Sequence, residues 1–571
     1  MNTINNSPKT ITLYDSYKKS IVEINPQTTV IPDTIKIYSC GPTVYGYQHI
    51  GNMRAIWLSN TIVDIAKTLG WKTEWVLNIT DVGHLTGDGD DGKNVSSSED
   101  KMEKSAKSQN KTITEIVNFY TNDYFIQTKA LNLSLPENVE NIQKDLNVGV
   151  VNPKASEFIK EQMILALELL SQNKAYLLTD GIYFDSLANQ DLDVPFKVFE
   201  EIVETKENSS YTGREIKNTT KNPSDFALWK FVDENALQKW RFDQFPEAIS
   251  ALASCDIEGR IMYKWGCPGW HSECVAMICR ILGSRTLKNR EKFSFASFIS
   301  QKFVIDIHTG GEDHIDIHHK NEILQSKSLG FNLSKYWVHN KFVLVNGKKM
   351  SKSLGNGYLI CGKKEETGVD SLESLGFDPI AYRLMLQEHN YTTQLDFTST
   401  KLAQSQNRLF NIRKETAKIV AFKNTYPDNF LQEDPEVADK NTHSFFDLVS
   451  IEENWQNILA NNLDLPRFLE EYTKFVNRVL EQIKEQEILV ETDLNLLIKY
   501  EQNILRLDLF TKIPAEILEL GQQRQDAKEQ KDYKMGDVLR QEIQDLGYQI
   551  DDYKWGFGIW VNPATKKHKQ K

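Results

Sequence analysis

The sequence predicts an α/β protein: a doubly wound parallel sheet with an insertion, followed by an α-helical bundle and a small C-terminal domain. Three observations predict it. From Ile35 to Leu69 an alternating apolar run gives way to Gly41, Pro42 and Gly46. Met53, Ile56, Trp57, Ile62, Ile65, Ala66 and Leu69 then recur at helical spacing, so the order is strand, glycine-bearing turn, helix. The same order returns in 266–283 and in 303–356. From about Ser399 to Leu520 helical periodicity dominates, with breaks only at Pro427–Pro435 and Asn461–Pro466.

At 571 residues the chain exceeds the ~250–300 residues that one core sustains, so several domains are expected. Forty per cent hydrophobic and 26% charged residues are ordinary soluble composition. No stretch approaches 18 apolar residues, and the N-terminus lacks an apolar secretory core, so a cytoplasmic protein without membrane contact is expected. Six cysteines in so long a chain suit a reducing compartment with thiols available to a metal. A net charge of −12 argues against a general nucleic-acid binder, but a local basic track can still dock a folded RNA.

Residues 1–33 read as a loose lead-in with one short strand near Ile11–Leu13. Residues 34–131 form the first half of the parallel-sheet domain. They include a strand in 73–85 that ends in the polar turn Asn78, Thr80, Asp81, and a helix from Ile113 to Leu131. GDGDDGK at 87–93 lacks EF-hand spacing and reads as a polar loop. Residues 132–224 read as an insertion, with a helix from 153 and two strands around Asp180–Gly181. Its polar run 202–221 reads as ordered only on binding. The second half of the sheet domain occupies 225–345, with strand-turn-helix units that include GCPGWHSECVAM. A connecting region spans 346–398, the helical region 399–520, and a C-terminal piece 521–571. That last piece has a charged helix ending at Leu546–Gly547, a strand pair with Trp555 and Trp560, and a basic tail, KKHKQK, read as a solubilising end.

A strand-to-helix turn with a helix N-terminus at the strand's carboxyl end holds an anion well, so the sheet domain reads as a nucleotide-binding domain, catalytic on the resemblance given below. His49 and Asn52 stand at that turn and can donate to a phosphate. Cys40 closes the first strand, and Cys274 follows the Gly266–His271 turn. His318 and Glu322 are four apart, on one helical face. Two thiolates, an imidazole and a carboxylate suit tetrahedral Zn²⁺. His319 rivals His318, and the spacing to Glu322 selects His318; Cys255, Cys267, Cys279 and Cys361 read as non-ligands.

HIGN at 49–52 resembles the HIGH motif of class I aminoacyl-tRNA synthetases, and KMSKS at 349–353 is a complete copy of their second motif. YSCGPTVYGYQHIGNMR resembles cysteinyl-tRNA synthetases specifically. The resemblance is strong over the catalytic half, weak over the bundle and moderate at the end. It implies zinc on Cys40, Cys274, His318 and Glu322, one per subunit; here Lys320 replaces a non-ligand glutamate of the family's HHENE. It implies His49, Asn52, Lys349 and Lys352 on the ATP phosphates, with Asn52 in place of the motif's last histidine. Gly310, Gly311 and Asp313 would hold the adenosine end, with Glu312 a solvated neighbour, and Thr43, Trp270 and His271 would line the cysteine pocket.

The implied activity converts L-cysteine and ATP, with Mg²⁺, to cysteinyl-adenylate and pyrophosphate, then transfers cysteine to tRNA(Cys). A monomer is implied, with the helices beyond about 400 following the tRNA and Trp560 available to stack on a base. WRFDQFPEAISALASCDIEGRIMYK, between Phe231 and Lys264, departs from the family pattern. Two alternatives share the sequence features: a cysteine:amino-sugar ligase using the same adenylation, and an inactive synthetase-like RNA-binding protein.

Overall fold

The computed structural model describes residues 8–83, 101–136, 152–198, 220–255, 257–284, 293–350, 356–431 and 444–563. The acidic loop at 87–93, most of the polar run 202–221, Lys352 and the basic tail lie outside them.

The lead-in is not loose. Ile11–Asp15 (β1) and Ser20–Ile24 (β2) form an antiparallel hairpin. Its Ile11, Leu13 and Ile24 are buried in the main core. The polar alternation of β2 hid it, because only Ile24 of that strand turns fully inward. Next come β3 (Thr34–Ser39), buried along its whole length, α1 (Ile50–Thr68) and β4 (Lys72–Leu77), which runs parallel to β3. Both faces of β3 are covered, which explains its near-continuous apolar reading.

The insertion contributes a helix, Ile159–Ser171, and the strands β5 (Ala175–Leu178) and β6 (Gly181–Phe184). The sheet continues through β7 (Ala227–Phe231) and β8 (Gly266–Pro268), all antiparallel. The expectation that the strand at 266 joins the parallel sheet is therefore corrected. Three residues are enough to pair with β7, and Gly266 fits only because its missing Cβ leaves room for the Trp229 ring. The helix after it, α2 (Trp270–Met277), is buried from His271 onward.

The parallel sheet is completed by β9 (Ile305–Gly311), α3 (Lys320–Ser328) and β10 (Ser334–Asn340), in the order β10-β9-β3-β4. Tyr38, His308 and Trp337 are register partners across β3, β9 and β10, so they share one face of the sheet.

Helices Ser399–Thr425, Leu448–Ala460, Leu465–Gln486 and Glu491–Tyr500 make the expected bundle. Trp455 lies at its centre against Phe468, Tyr472, Phe475 and Tyr500. After two further helices, the C-terminal hairpin Tyr548–Tyr553/Gly556–Val561 lies along the first bundle helix. Trp555 Nε1 donates to the Lys418 carbonyl at 3.1 Å. Trp560 is only 8% exposed, so it is not displayed for stacking on a base; it belongs to the hairpin's buried side. No described helix is long and apolar enough to cross a membrane.

Arg383, on the helix Pro379–Gln387, welds bundle to sheet domain. Its guanidinium donates to the carbonyls of Leu131 and Asn132 on one side and of Ile504 and Leu505 on the other. Beside it Glu501 is buried, and its Oε1 accepts from the Leu507 and Leu509 amides at 2.8 and 3.1 Å. Burial pushes the Glu501 carboxyl up to about 7. With the folded value above the unfolded one, its contribution to stability is complete below about pH 4.5 and is lost as pH rises through 7. The melting temperature of Glu501→Gln, measured against the parent across this range, should gain on the parent as pH rises. A pH-independent difference would remove Glu501 as the source.

Candidate active site and metal centre

The carboxyl ends of β3 and β9 carry the site. Cys40 follows β3 directly, and its amide donates to Thr309 O at 3.1 Å, which fixes it beside β9. α2 brings Cys274. A π-helical turn, Ile315–His319, brings His318 and His319, and the first turn of α3 brings Glu322. One donor atom each from Cys40, Cys274, His318 and Glu322 lies within 4.8 Å of the others. Cys40 Sγ is 3.8 Å from Cys274 Sγ, Cys274 Sγ is 3.4 Å from His318 Nε2, and His318 Nε2 is 2.9 Å from Glu322 Oε1. The structure thus assembles the four residues singled out in the sequence.

A second, overlapping set of Cys40, His308, His319 and Glu322 meets the same distance limit. His308 Nε2 lies 2.8 Å from Glu322 Oε2, and His319 Nε2 lies 3.3 Å from Cys40 Sγ. His308 is absent from the sequence argument. Only the structure reveals it: His308 pairs with Tyr38 across β9 and β3, which puts it on the face of Cys40.

The electrostatics suit a cation. Burial alone would raise the Glu322 carboxyl, but the neighbouring His308 and His318 hold it well below the usual range. Burial opposes a charge on His318, yet Glu322 and Cys274 outweigh it and lift the imidazole to about 10. Burial pushes the Cys40 thiol up to about 11, and burial with the Cys40 contact raises the Cys274 thiol well above its ordinary value. Both Glu322 oxygens sit within ion-pair distance of imidazoles, Oε2 of His308 at 2.8 Å and Oε1 of His318 at 2.9 Å. A fully buried carboxylate needs such cationic neighbours, and a metal ion between the donors would serve it in the same way. The donor set, two sulfurs with nitrogen and oxygen, fits a borderline-soft divalent ion.

Around this centre Trp270 stacks on His318 at 4.3 Å, and His271 Nδ1 lies 3.2 Å from His318 Nδ1. Thr43 bridges Thr80 at the end of β3. A Cβ on Gly310 would fall 2.8 Å from the His319 ring, so this glycine makes room for an imidazole. Asp313 is exposed at the rim, whereas Glu312 is not a solvated neighbour: it pairs with Lys341 and accepts from the Phe342 amide.

At the start of α1, His49 and Asn52 cap the helix reciprocally. Asn52 N donates to His49 Nδ1 at 3.2 Å, and His49 N donates to Asn52 Oδ1 at 3.1 Å. With Nδ1 accepting, a neutral His49 carries its proton on Nε2, and the Asn52 amide nitrogen keeps its donors. The chain around KMSKS meets this turn. Ile50 N donates to Tyr358 O at 2.8 Å, and a Cβ on Gly51 would lie 3.8 Å from Met350 Sδ. Lys349 is exposed, its ammonium 4.4 Å over the Phe342 ring. Met350, the second residue of KMSKS, thus lies beside the HIGN turn.

Comparison with known proteins gives the family. The family described as "tRNA synthetases class I (C) catalytic domain" matches residues 27–86, 91–244 and 254–407. A cysteine–tRNA ligase of Treponema denticola is 30% identical over 90% of this chain and 93% of its own. This chain belongs to the cysteine–tRNA ligase family. A Thermus thermophilus member is 28% identical over 96% of this chain and 98% of its own. One from Salinibacter ruber is 33% identical over 66% of this chain and 64% of its own. The divergent run 231–264 falls partly in the gap between matched segments, at 245–253. Its described part closes over β8, where Trp240 pairs with Gly266. The family match begins at residue 27, after the β1–β2 hairpin.

Equilibrium dialysis against Zn²⁺ or Co²⁺ should find one ion per chain. Cys274→Ser should weaken its retention at least ~10-fold, because a neutral hydroxyl replaces a thiolate. Cys255→Ser, whose thiol instead faces the Leu167 carbonyl, should leave it unchanged. Equal losses in both variants would exclude Cys274 as a donor.

Proposed function

We propose that this chain is an ATP-dependent cysteine–tRNA ligase. It activates L-cysteine to cysteinyl-adenylate and transfers cysteine to the 3′ end of tRNA(Cys), releasing AMP and pyrophosphate. The observation that carries the reading is the placement of the Cys40–Cys274–His318–Glu322 cluster at the end of β3, on the chain that leads straight into the His49–Asn52 helix start.

Of the two overlapping donor sets, the one with two sulfurs is the resident zinc site, since thiolates favour Zn²⁺ and neutralise its charge. Bound there, zinc supplies a soft Lewis acid that accepts a cysteine sulfur and discriminates against a serine oxygen. Trp270 and His271, packed on His318, hold the donor imidazole and wall the pocket. His49 Nε2 and the Asn52 amide bind the ATP phosphates together with the start of α1. Gly311 and Asp313 meet the ribose end at the rim. No covalent nucleophile is needed: the cysteine carboxylate attacks the α-phosphate, and the protein positions the groups and stabilises developing charge. Lys349 and Lys352 bring positive charge to the leaving pyrophosphate, with Mg²⁺ carried in by ATP. Gly347, at φ +75° and with open space around it, lies two residues before Lys349. The bundle from 399 and the C-terminal piece from 521 carry the tRNA body, in a cytoplasmic monomer.

Pyrophosphate exchange should depend on cysteine and Mg²⁺, and tRNA(Cys) should be charged. Exchange driven by another amino acid and not by cysteine would refute the assignment. Exchange with cysteine but no charging of tRNA(Cys) would point to an amino-sugar acceptor. Lys352→Ala should slow adenylate formation by ~100-fold or more while leaving cysteine binding near the parent value, the pattern of a group that acts on the transition state. Equal losses in rate and binding would assign Lys352 a structural role.

A further inference from the structure

A continuous chain of polar contacts runs from the candidate metal centre out to the N-terminal hairpin. Cys40 Sγ lies 3.3 Å from His319 Nε2. His319 Nδ1 lies 2.7 Å from His339 Nε2, and His339 Nδ1 lies 2.9 Å from Ser16 Oγ. His319 is fully buried, His339 nearly so, and Ser16 is half-buried in the turn between β1 and β2. The hairpin is pinned where Ser16 needs it. Ser16 N donates to Trp337 O at 2.9 Å, and Asp15 Oδ2 accepts from Trp337 N at 3.2 Å. Yet this hairpin lies before the family's matched catalytic segment.

We infer that Ser16 and His339 are positioning residues for Cys40: through His319 they present an N–H to its sulfur and hold it in place for a metal ion. The inference rests on the reading of Cys40 as a donor. A sulfur bound to a cation carries no proton, so it can only accept. His319 must then donate from Nε2, which leaves its Nδ1 as an acceptor. His339 therefore donates from Nε2 and accepts at Nδ1, and Ser16 donates its hydroxyl proton there. The sulfur fixes both tautomers, one hydroxyl satisfies the far end of the chain, and all three bonds point toward the sulfur. Gly310 allows the arrangement, since any side chain there would strike the His319 ring. Groups that orient metal ligands from outside typically contribute 10–100-fold to affinity.

The test is Ser16→Ala, with Ser16→Thr as the variant that keeps the hydroxyl. His339→Phe breaks the chain one link closer to the sulfur and keeps a ring in the same place. Metal-free protein is titrated with Co²⁺ against a chelator, and the sulfur-to-cobalt charge-transfer band is recorded. Ser16→Ala and His339→Phe should bind about 10-fold more weakly. Their band should move to longer wavelength, because a sulfur that has lost its N–H gives up an electron more easily. Ser16→Thr should restore both readouts. Melting of the metal-free proteins separates a loosened hairpin, which would lower stability without moving the band. Parent affinity and band position in both chain-breaking variants would overturn the inference, as would Ser16→Thr behaving like Ser16→Ala. A parent protein that binds no Co²⁺ would instead overturn the metal reading on which the inference rests.

Discussion

A carboxylate with no exposed surface constrains everything around it. Glu322 is buried completely, in a setting where an isolated charge would cost several kcal/mol even after relaxation. Two imidazoles come within 2.9 Å of it, one from the π-helical turn and one from β9. Those imidazoles have partners of their own: His318 meets Cys274, His271 and Trp270, while His308 stacks on Trp337. The constraint propagates outward in this way until it reaches α2, three strands of the parallel sheet and the N-terminal hairpin. The π-helical turn follows from the same demand. It widens the helix by part of a turn just where two consecutive histidines must serve different partners, His318 toward Cys274 and His319 toward Cys40.

A centre so dependent on distant elements needs a stiff frame, and three buried arginines contribute to it. Arg54 on α1 donates to carbonyls at Lys341, Phe342, Asn390 and Thr393, which fixes the helix start against the chain that leads to KMSKS. Arg383 joins the end of the helix Ile113–Ala130 to the end of the bundle. Arg413 binds Asp378 at 2.6 Å and the carbonyls of Leu507 and Val561, which ties the C-terminal hairpin to the same junction. A planar guanidinium offers five donors in fixed directions, so one side chain can satisfy carbonyls from several segments at once. The domains are therefore coupled by polar contacts of defined geometry as well as by apolar packing.

How much of this was legible in the sequence depended on where the information lay. HIGN and KMSKS are local, and so is the spacing of His318 and Glu322; each could be read within a few residues. The strand and helix around them carried strong periodicity, because β3 is buried on both faces and α1 through most of its length. Of the N-terminal hairpin only β1 was read; β2 was missed because it reads as polar, and the pair's worth comes from contacts more than 300 residues away, such as that of Ser16 with His339. His308 was missed because a single histidine in a strand has no spacing to announce it, and only the register of three strands reveals its neighbours. Trp560 was assigned to RNA because the resemblance places tRNA contact in the C-terminal piece and an exposed ring there could stack on a base. Whether such a ring faces solvent or a helix is decided by the fold as a whole, and here it is buried.

The substrate itself explains why a buried, charged and mutually braced site would be kept. Cysteine and serine differ by one atom of similar size, and a methylene-sized difference in an apolar pocket yields only about 1–3 kcal/mol of discrimination. Hydrogen-bond donors would be a poor remedy, since a hydroxyl accepts them at least as well as a thiol. Softness separates the two: a thiol loses its proton to a borderline-soft cation far more readily than an alcohol does. A site that selects on softness must hold that cation with an open approach for the substrate, and its own sulfurs must not drift into that approach. The Cys40–His319–His339–Ser16 chain and the stacking of Trp270 on His318 would restrain one candidate donor on each side of such a cation. Selection by a metal held there would place its demand on the precision of the surrounding side chains, and much of the polar interior does converge on these donors.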